Sequence, residues 1–276
     1  SDASLPRDLM KDTAPFDSVF MDVASHACHE LHALMVVKDG EVVYEKWDHG
    51  YGPDHLHVMW SASKTFTATA VGFAVQDGLL NVTDDCIGRA DGGEDFDWAA
   101  ATLASEIVFE PGSRFEYNSM NTYLLSVIVS RVTGKRVDEY LEDKLFSPLG
   151  IENYMWRQLP QGYSAGGWGL YMRTEDFAKM GLFMLRKGVW NDKRLLNEEW
   201  FDEAMSAQIM QYAGQGLTPD DVAKMTPDAW NQGYGYQMWM CPEGGCRLDG
   251  AWAQLCVLYP EKDLVIAVQA HSDNTG

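Results

Sequence analysis

The sequence predicts an α+β fold: one antiparallel sheet built from both ends of the chain and flanked by helices, with a mainly helical lobe inserted between them. Three observations predict it. Strand patterns open and close the chain, helical periodicity fills its middle, and 276 residues can bury one large core. Within a single domain, 1–276, the sheet lobe is expected at approximately 1–60 and 230–276 and the helical lobe at approximately 61–229.

Each element has its own warrant. After a helix around Phe16 to His29, Ala33 to Val37 and Glu41 to Trp47 read as strands. Lys38-Asp39-Gly40 joins them, because Asp-Gly accepts the positive φ of a tight hairpin. From Ser61 to Gln76, Phe66, Ala70, Phe73 and Ala74 recur at helical spacing, and Asp77-Gly78 stops the run. Gly88 to Asp97 is rich in Gly and Asp and reads as a loop. Glu110-Pro111-Gly112 marks a turn before a short extended piece through Tyr117. Leu124, Leu125, Ile128, Val129 and Val132 then form one apolar helical face that ends at Thr133-Gly134. Thr174 is expected as an N-cap, with Glu175 and Asp176 in the first turn and Arg186, Lys187 and Gly188 at the end, an order that suits the helix dipole. Tyr234 to Met240, Ala251 to Tyr259 and Asp263 to His271 return to strand patterns.

Composition narrows the function. With 46% hydrophobic and 22% charged residues the chain matches globular proteins rather than disordered ones. No apolar run reaches the ~18 residues of a membrane span. A formal net charge of −20 makes nucleic acid and anionic lipid poor partners. Ser1 to Asp12 lacks a basic stretch followed by an apolar one. This leaves a cytoplasmic protein or a mature chain whose leader has been removed, and the periplasmic or secreted alternative is preferred. Of five cysteines, only Cys241 and Cys246, flanking Pro242-Glu243-Gly244-Gly245, are close enough to suggest a hairpin-closing disulfide. Nothing in the sequence sets an oligomeric state.

The strongest chemical signal is Trp60-Ser61-Ala62-Ser63-Lys64 at the entry to a helix. A three-residue spacing puts Ser61 and Lys64 one turn apart on the same face. A serine hydroxyl becomes a good nucleophile when something takes its proton, and a desolvated lysine amine can do so. The helix N-terminus adds free N–H groups where an oxyanion would form. Alone, Ser-x-x-Lys is a common tetrad, and Ser61 would read equally well as a helix cap.

Six segments in order resolve that ambiguity. They are Val36-Val37-Lys38-Asp39-Gly40-Glu41-Val42-Val43, Ser61-Ala62-Ser63-Lys64, and Pro111-Gly112-Ser113-Arg114-Phe115-Glu116-Tyr117-Asn118-Ser119. Phe146-Ser147-Pro148-Leu149-Gly150-Ile151, Ala165-Gly166-Gly167, and Asp249-Gly250-Ala251-Trp252-Ala253-Gln254 followed by Tyr259-Pro260-Glu261-Lys262-Asp263 complete them. Together they resemble the class C β-lactamase, carboxylesterase and 6-aminohexanoate-dimer hydrolase superfamily. The resemblance implies a β-lactamase/penicillin-binding-protein-like fold and a serine hydrolase working through an acyl-enzyme on small ester or amide substrates. It implies Ser61 as nucleophile, Lys64 as base and Tyr117 as proton shuttle, its hydroxyl within hydrogen-bond reach of both. It also implies an oxyanion hole from the backbone N–H groups of Ser61 and Ala251. Ser119 stands where many relatives carry Asn, and Asn118 and Ser119 serve equally as caps of the next helix. Such a site needs no cofactor and no metal.

The chain departs from the family at Leu248-Asp249-Gly250, where β-lactamases and DD-peptidases carry Lys-Thr-Gly to attract a substrate carboxylate. That favours an esterase or amidase, with a β-lactamase or DD-peptidase as runner-up and a non-catalytic penicillin- or cell-wall-peptide-binding relative as the reading from another class. Arg247, on the same strand face as Asp249, is a candidate replacement cation. Asp249, Gly250, Ser119, Trp168 and Trp252 are the candidate substrate contacts; the two tryptophans serve either as walls for an apolar acyl group or as core. A Leu-Leu-x-Met-x-Ser-Gly element has no match between Asp84 and Ala104, and the chain stops soon after His271, where relatives continue into a helix. His26, Cys28, His29 and His32 fit no structural zinc spacing and are expected as surface histidines at a helix end, and His55 and His57 as structural or surface residues. Asp91 to Asp97 lacks the residue order of a calcium loop.

Overall fold

A computed structural model describes residues 4–25, 29–80, 97–225 and 228–272. Helix α1 (Ala14–Ala24) leads into the hairpin of β1 (His29–Lys38) and β2 (Glu41–Trp47). Then β3 (His57–Val58) and one 3₁₀ turn, Trp60–Ala62, feed α2 (Ser63–Gln76). The middle supplies α3 (Trp98–Leu103), α4 (Ser119–Thr133), α5 (Val137–Leu141), α6 (Ser147–Leu149), β4 (Tyr154–Trp156), β5 (Leu170–Met172) and α7 (Thr174–Leu185). The ribbon β6 (Val189–Trp190) and β7 (Lys193–Arg194), α8 (Glu198–Ala204) and α9 (Pro219–Lys224) follow. Strands β8 (Trp239–Met240), β9 (Cys246–Gly250), β10 (Gln254–Tyr259) and β11 (Leu264–Ser272) close the described chain.

The main sheet runs β2-β1-β11-β10-β9-β8, antiparallel throughout. Its last strand, β11, lies between β1 and β10, so both chain ends meet in one sheet. Alternation along the strands gives it two apolar faces. Met35, Val37, Val265, Ala267, Cys256 and Leu258 join the main core with α7, while Leu34, Val36 and Ala270 pack with Phe20 of α1. Gly181 lets α7 lie this close: a Cβ there would meet Cys256 Sγ at 2.6 Å and Val265 Cγ1 at 2.7 Å. Between sheet and lobe runs α2, with eleven of its fourteen residues buried. Its hydroxyls are satisfied by neighbouring carbonyls, Thr65 Oγ1 donating to Gln237 O and Thr67 Oγ1 to Gly166 O.

Several expectations need correction. His29 and His32 belong to β1, beyond the end of α1. The side chain of His32 is buried, its Nδ1 2.8 Å from His57 Nε2 and its ring stacked on Tyr51. His26 and Cys28 lie outside the described residues, as does Gly88 to Phe96; Asp97 caps α3 by accepting from the Ala99 and Ala100 amides. Thr174 is the first residue of α7 and does not cap it; Arg173 holds the cap position. Because Thr174 is buried, its hydroxyl donates to Gln269 Oε1 at 2.7 Å and ties the helix to β11. Tyr234 to Met240 is strand only at Trp239–Met240, since Gln237 takes φ +63° and breaks the run. Likewise β10 starts at Gln254, because Trp252 and Ala253 adopt positive φ. Cys241 and Cys246 are free thiols. Their hairpin closes through the Cys241 amide, which donates to Gly245 O, and burial pushes the Cys246 thiol up to about 12. Among the described residues no helix is long and apolar enough to cross a membrane.

Candidate active site

The turn before α2 is built under constraint. Trp60 has φ +45°, a left-handed conformation that costs a bulky residue about 1–2 kcal/mol. The Ser63 hydroxyl offsets this by donating to Trp60 O at 2.6 Å while accepting from the Leu170 amide at 3.2 Å. Met59 N–H donates to Leu170 O at 2.8 Å, so β5 braces the turn from the other side. Ser61 is thereby fixed at the head of the helix. Close by runs the end of β9: a Cβ on Gly250 would lie 2.2 Å from Met59 O and 3.2 Å from Ala62 N. Gly250 is therefore a close-approach glycine, needed so that strand and turn can touch.

Lys64 points from α2 into the same corner, about 1% exposed. Its Nζ donates to Ser61 Oγ at 2.9 Å, Ser119 Oγ at 2.9 Å and Gly167 O at 2.7 Å. Those three contacts use every donor an ammonium has. Among the described residues no carboxylate touches it, so burial acts on it and lowers its pKa to about 8. The Gly167 carbonyl reaches Lys64 because the Gly166-Gly167 pair lies flat on α4. A Cβ on Gly166 would meet Ser126 Cβ at 2.7 Å, and one on Gly167 would meet Ser119 O at 2.7 Å. The two capping alternatives separate here. Asn118 caps α4 by accepting from the Met120 amide, and Ser119 turns to the lysine.

Tyr117 reaches the corner from an irregular segment. Burial raises its pKa, an interaction with the Ser61 hydroxyl lowers it, and the Asp249 carboxylate raises it further. Lys64 Nζ sits over its ring, 4.9 Å from the centroid, so the contact with the lysine is made by the ring face rather than by the expected hydrogen bond to the hydroxyl. Trp239 stacks on the ring at 5.6 Å, and Tyr234 meets it edge-on at 6.1 Å. Phe115 joins both. A cleft of ≈ 190 Å³ opens beside Tyr117, walled by Phe115, Tyr234, Ile209 and Gln237.

On β9, Arg247 Nε donates to Asp249 Oδ2 at 2.7 Å. Nη1 donates to Ala229 O, and the cation lies 4.5 Å from the Trp230 ring centroid, while Nη2 is buried with no hydrogen-bond partner among the described residues. Arg247 thus spends Nε and Nη1 on its own strand and loop. Desolvation raises the Asp249 pKa and Arg247 opposes it. Ala251 is exposed at the start of the β9–β10 turn, where the buried Gln254 amide donates to the Ala251, Trp252 and Ala270 carbonyls. Trp252 stacks on His271, near the end of β11, with 4.6 Å between centroids. Trp168 is half-buried, and its carbonyl accepts from Trp156 Nε1. The structure brings together Ser61, Lys64, Ser119 and Tyr117, with Gly250 against the turn and Asp249 nearby. Among the described residues no group of three or more His, Cys, Asp or Glu could hold a metal ion.

Sequence reasoning missed the wall made by Phe115, Tyr234 and Trp239, and the bracing by Gln237. Gln237 accepts from Thr65 through its carbonyl and from Thr122 through Oε1, linking α2 to α4. The aromatic spacing of residues 234–239 was the available signal, but it matches a strand equally well.

Comparison with known proteins follows the same lines. The Beta-lactamase family model matches residues 30–90 and 87–276. A 6-aminohexanoate-dimer hydrolase of Paenarthrobacter ureafaciens is 24% identical over 286 residues, covering 85% of this chain and 71% of that protein. Other curated relatives are matched over less than half of their own length. The structure of a putative 6-aminohexanoate-dimer hydrolase from Bacillus anthracis superposes with a TM-score of 0.73 at 18% identity, covering 99% of this chain and 82% of that one. The octameric penicillin-binding protein homologue from Pyrococcus abyssi gives 0.73 at 19% identity, over 95% and 74%. At these identities the two structures speak to the fold.

Proposed function

We propose that this chain, which belongs to the Beta-lactamase family, hydrolyses small ester or amide substrates through an acyl-enzyme on Ser61. The observation that carries the reading is the buried Lys64 amine, 2.9 Å from Ser61 Oγ and with its pKa lowered to about 8. As a neutral amine Lys64 keeps two donors for Ser119 and Gly167 and turns its lone pair to the Ser61 proton. Ser61 Oγ then attacks the substrate carbonyl as its proton passes to Lys64. The developing oxyanion is held by the Ser61 and Ala251 backbone N–H groups. Tyr117, kept protonated by burial and by Asp249, hands a proton to the leaving group as the tetrahedral intermediate collapses. Water repeats the sequence in reverse and frees Ser61. The relative named for a 6-aminohexanoate dimer supports small amides within the substrate range.

Neutral substrates fit better than β-lactams. A β-lactam carboxylate meets Leu248 and Asp249 where relatives offer a lysine, and Arg247 is already engaged with Asp249 and Ala229. A charge-assisted contact forgone costs about 1.5–3 kcal/mol, roughly 10–150-fold. The test is kcat/KM for p-nitrophenyl butyrate and nitrocefin on one preparation, beside intact-mass analysis after fluorophosphonate treatment. The expected result is a single adduct on Ser61 and faster ester turnover. Nitrocefin turnover as fast as the ester would point to a β-lactamase or DD-peptidase. Acylation without turnover of either would point to a binding protein.

A further inference from the structure

We propose that Asp249 makes this site selective for substrates whose leaving group carries a cationic amine, such as esters of amino alcohols or amides of basic amines; the inference rests on the acyl-enzyme reading above.

Asp249 sits where the strand edge has run out of strand partners. The pairing of β9 with β8 ends at Trp239↔Arg247, and among the described residues Leu248, Asp249 and Gly250 have no strand partner on that side. Two residues further on is the proposed oxyanion donor Ala251, a separation of about 6–7 Å along an extended chain. Asp249 is therefore one small functional group away from a carbonyl bound at Ser61.

Its charge is felt by two residues that wall the cleft. The Asp249 carboxylate bears on both Tyr117 and Tyr234, two walls of that cleft. Arg247 engages one oxygen, Oδ2, through a single Nε contact, while Nη1 turns away to Ala229 O and Cys241 Sγ. Among the described residues Oδ1 has no such partner. The carboxylate thus keeps one oxygen outside its contact with Arg247, in surroundings dry enough to raise the Asp249 pKa.

The rings beside it already receive basic groups. Arg247 lies over Trp230 at 4.5 Å and is 5.8 Å from Trp239, and Lys64 lies over Tyr117 at 4.9 Å. A carboxylate among electron-rich rings is the chemistry that receives an ammonium. Tyr117 also fixes the side. If it protonates the leaving group, the acid that bears on Tyr117 lies on the leaving-group side of the scissile bond.

The experiment compares two isosteres, butyrylcholine and 3,3-dimethylbutyl butyrate, which differ in charge and hardly in shape. Butyrate release is followed by pH-stat with Ser61→Ala as background. The expected result is a kcat/KM ratio of about ten in favour of the cation. It should persist in 0.5 M salt, where long-range attraction by a chain of net charge −20 is screened. In Asp249→Asn, which keeps an oxygen for Arg247, the ratio should fall close to one. Reading the ratio within each enzyme removes any general loss of activity, and the wild-type ratio stands even if the variant does not fold. A wild-type ratio of one or below, or one that vanishes in salt, overturns the proposal while leaving neutral-ester hydrolysis intact. A ratio unchanged in Asp249→Asn overturns the assignment to this residue. Failure of the wild type to hydrolyse either ester, with p-nitrophenyl butyrate also inert, defeats the acyl-enzyme reading and this inference with it.

Discussion

Ser61 and Lys64 are presented by a hydrogen-bonded turn and a mostly buried helix, whereas Tyr117 is presented by residues 105–118, which form no helix or strand and are mostly exposed. The lysine corner has its hydrogen bonds closed, with donors matched to Ser61, Ser119 and Gly167. Tyr117 is held mainly by ring contacts, the Trp239 stack first among them. The difference suits the roles proposed for each group. A lysine becomes a base at neutral pH only if it stays desolvated, which demands a rigid dry socket. A proton shuttle must meet the serine and then a leaving group of variable shape, and a softer mount lets it do both.

The rigid half predicts the largest effects. Lys64→Arg should lower kcat/KM by ~10³-fold or more, because guanidinium stays protonated and has no room among three matched acceptors. In the wild type, kcat/KM should rise with pH along a limb near the lowered Lys64 value of about 8. Stability carries the same signature. The unfolded lysine titrates near ~10.4, so between about 8 and that value the unfolded chain binds more protons and stability rises with pH. Lys64→Met should remove this rise, measured as urea midpoints at several pH values. A Lys64→Arg enzyme that keeps most of its activity would remove Lys64 as the base.

The soft half predicts a smaller loss of a different kind. Tyr117→Phe preserves the ring and its Trp239 stack while deleting the proton. It should reduce kcat and kcat/KM together by roughly 10²-fold or more, with melting temperature nearly unchanged. A change confined to KM would make Tyr117 a substrate contact.

One substitution made in both halves separates packing from backbone conformation. Gly250→Ala drives a Cβ into Met59 O and should cost about 1–3 kcal/mol, with loss of activity as the turn shifts. Gly112 has φ +79° and open space around it, so Gly112→Ala should cost about 1–2 kcal/mol of backbone strain and nothing from packing. Chemical denaturation measures both, and equal activity loss in the two variants would contradict the contrast.

The same divide decides what could be read from sequence. Ser61 and Lys64 were legible because a helix turns a spacing of three into contact, and both halves of the sheet showed the alternation a half-buried strand needs. Tyr117 became legible only through family resemblance, since an irregular segment has no period from which position can be inferred. Where expectation failed, a local conflict was responsible. Gln237, Trp252 and Ala253 adopt positive φ inside strand-like sequence, and Thr174 gives its hydroxyl to Gln269 instead of to its own helix. The surface reading of His32 failed for lack of context, since its burial against His57 and Tyr51 depends on segments far apart in the chain.

The smallest effect tests whether the ring wall positions Tyr117 or merely packs. Trp239 stacks on Tyr117, meets Tyr234 at 5.0 Å and Trp230 at 4.9 Å, and lies 5.8 Å from Arg247. Such contacts contribute about 0.5–1.5 kcal/mol beyond buried area, so losing the Tyr117 stack amounts to roughly 2–12-fold. Trp239→Leu keeps an apolar side chain but removes the flat surface. Its kcat should fall within that range, with KM changing less. Trp239→Phe restores a ring and should recover most of the rate. Because β8 is only two residues long, stability is expected to fall in both variants, so melting temperature alone does not discriminate. The partial recovery by Phe does: a wall that only fills space would respond to side-chain volume and lose kcat in neither variant, whereas a wall that aims Tyr117 responds to the ring. Equal kcat in Trp239→Leu and wild type would mean that Tyr117 finds its place without the stack, and that the soft mount is held from the substrate side.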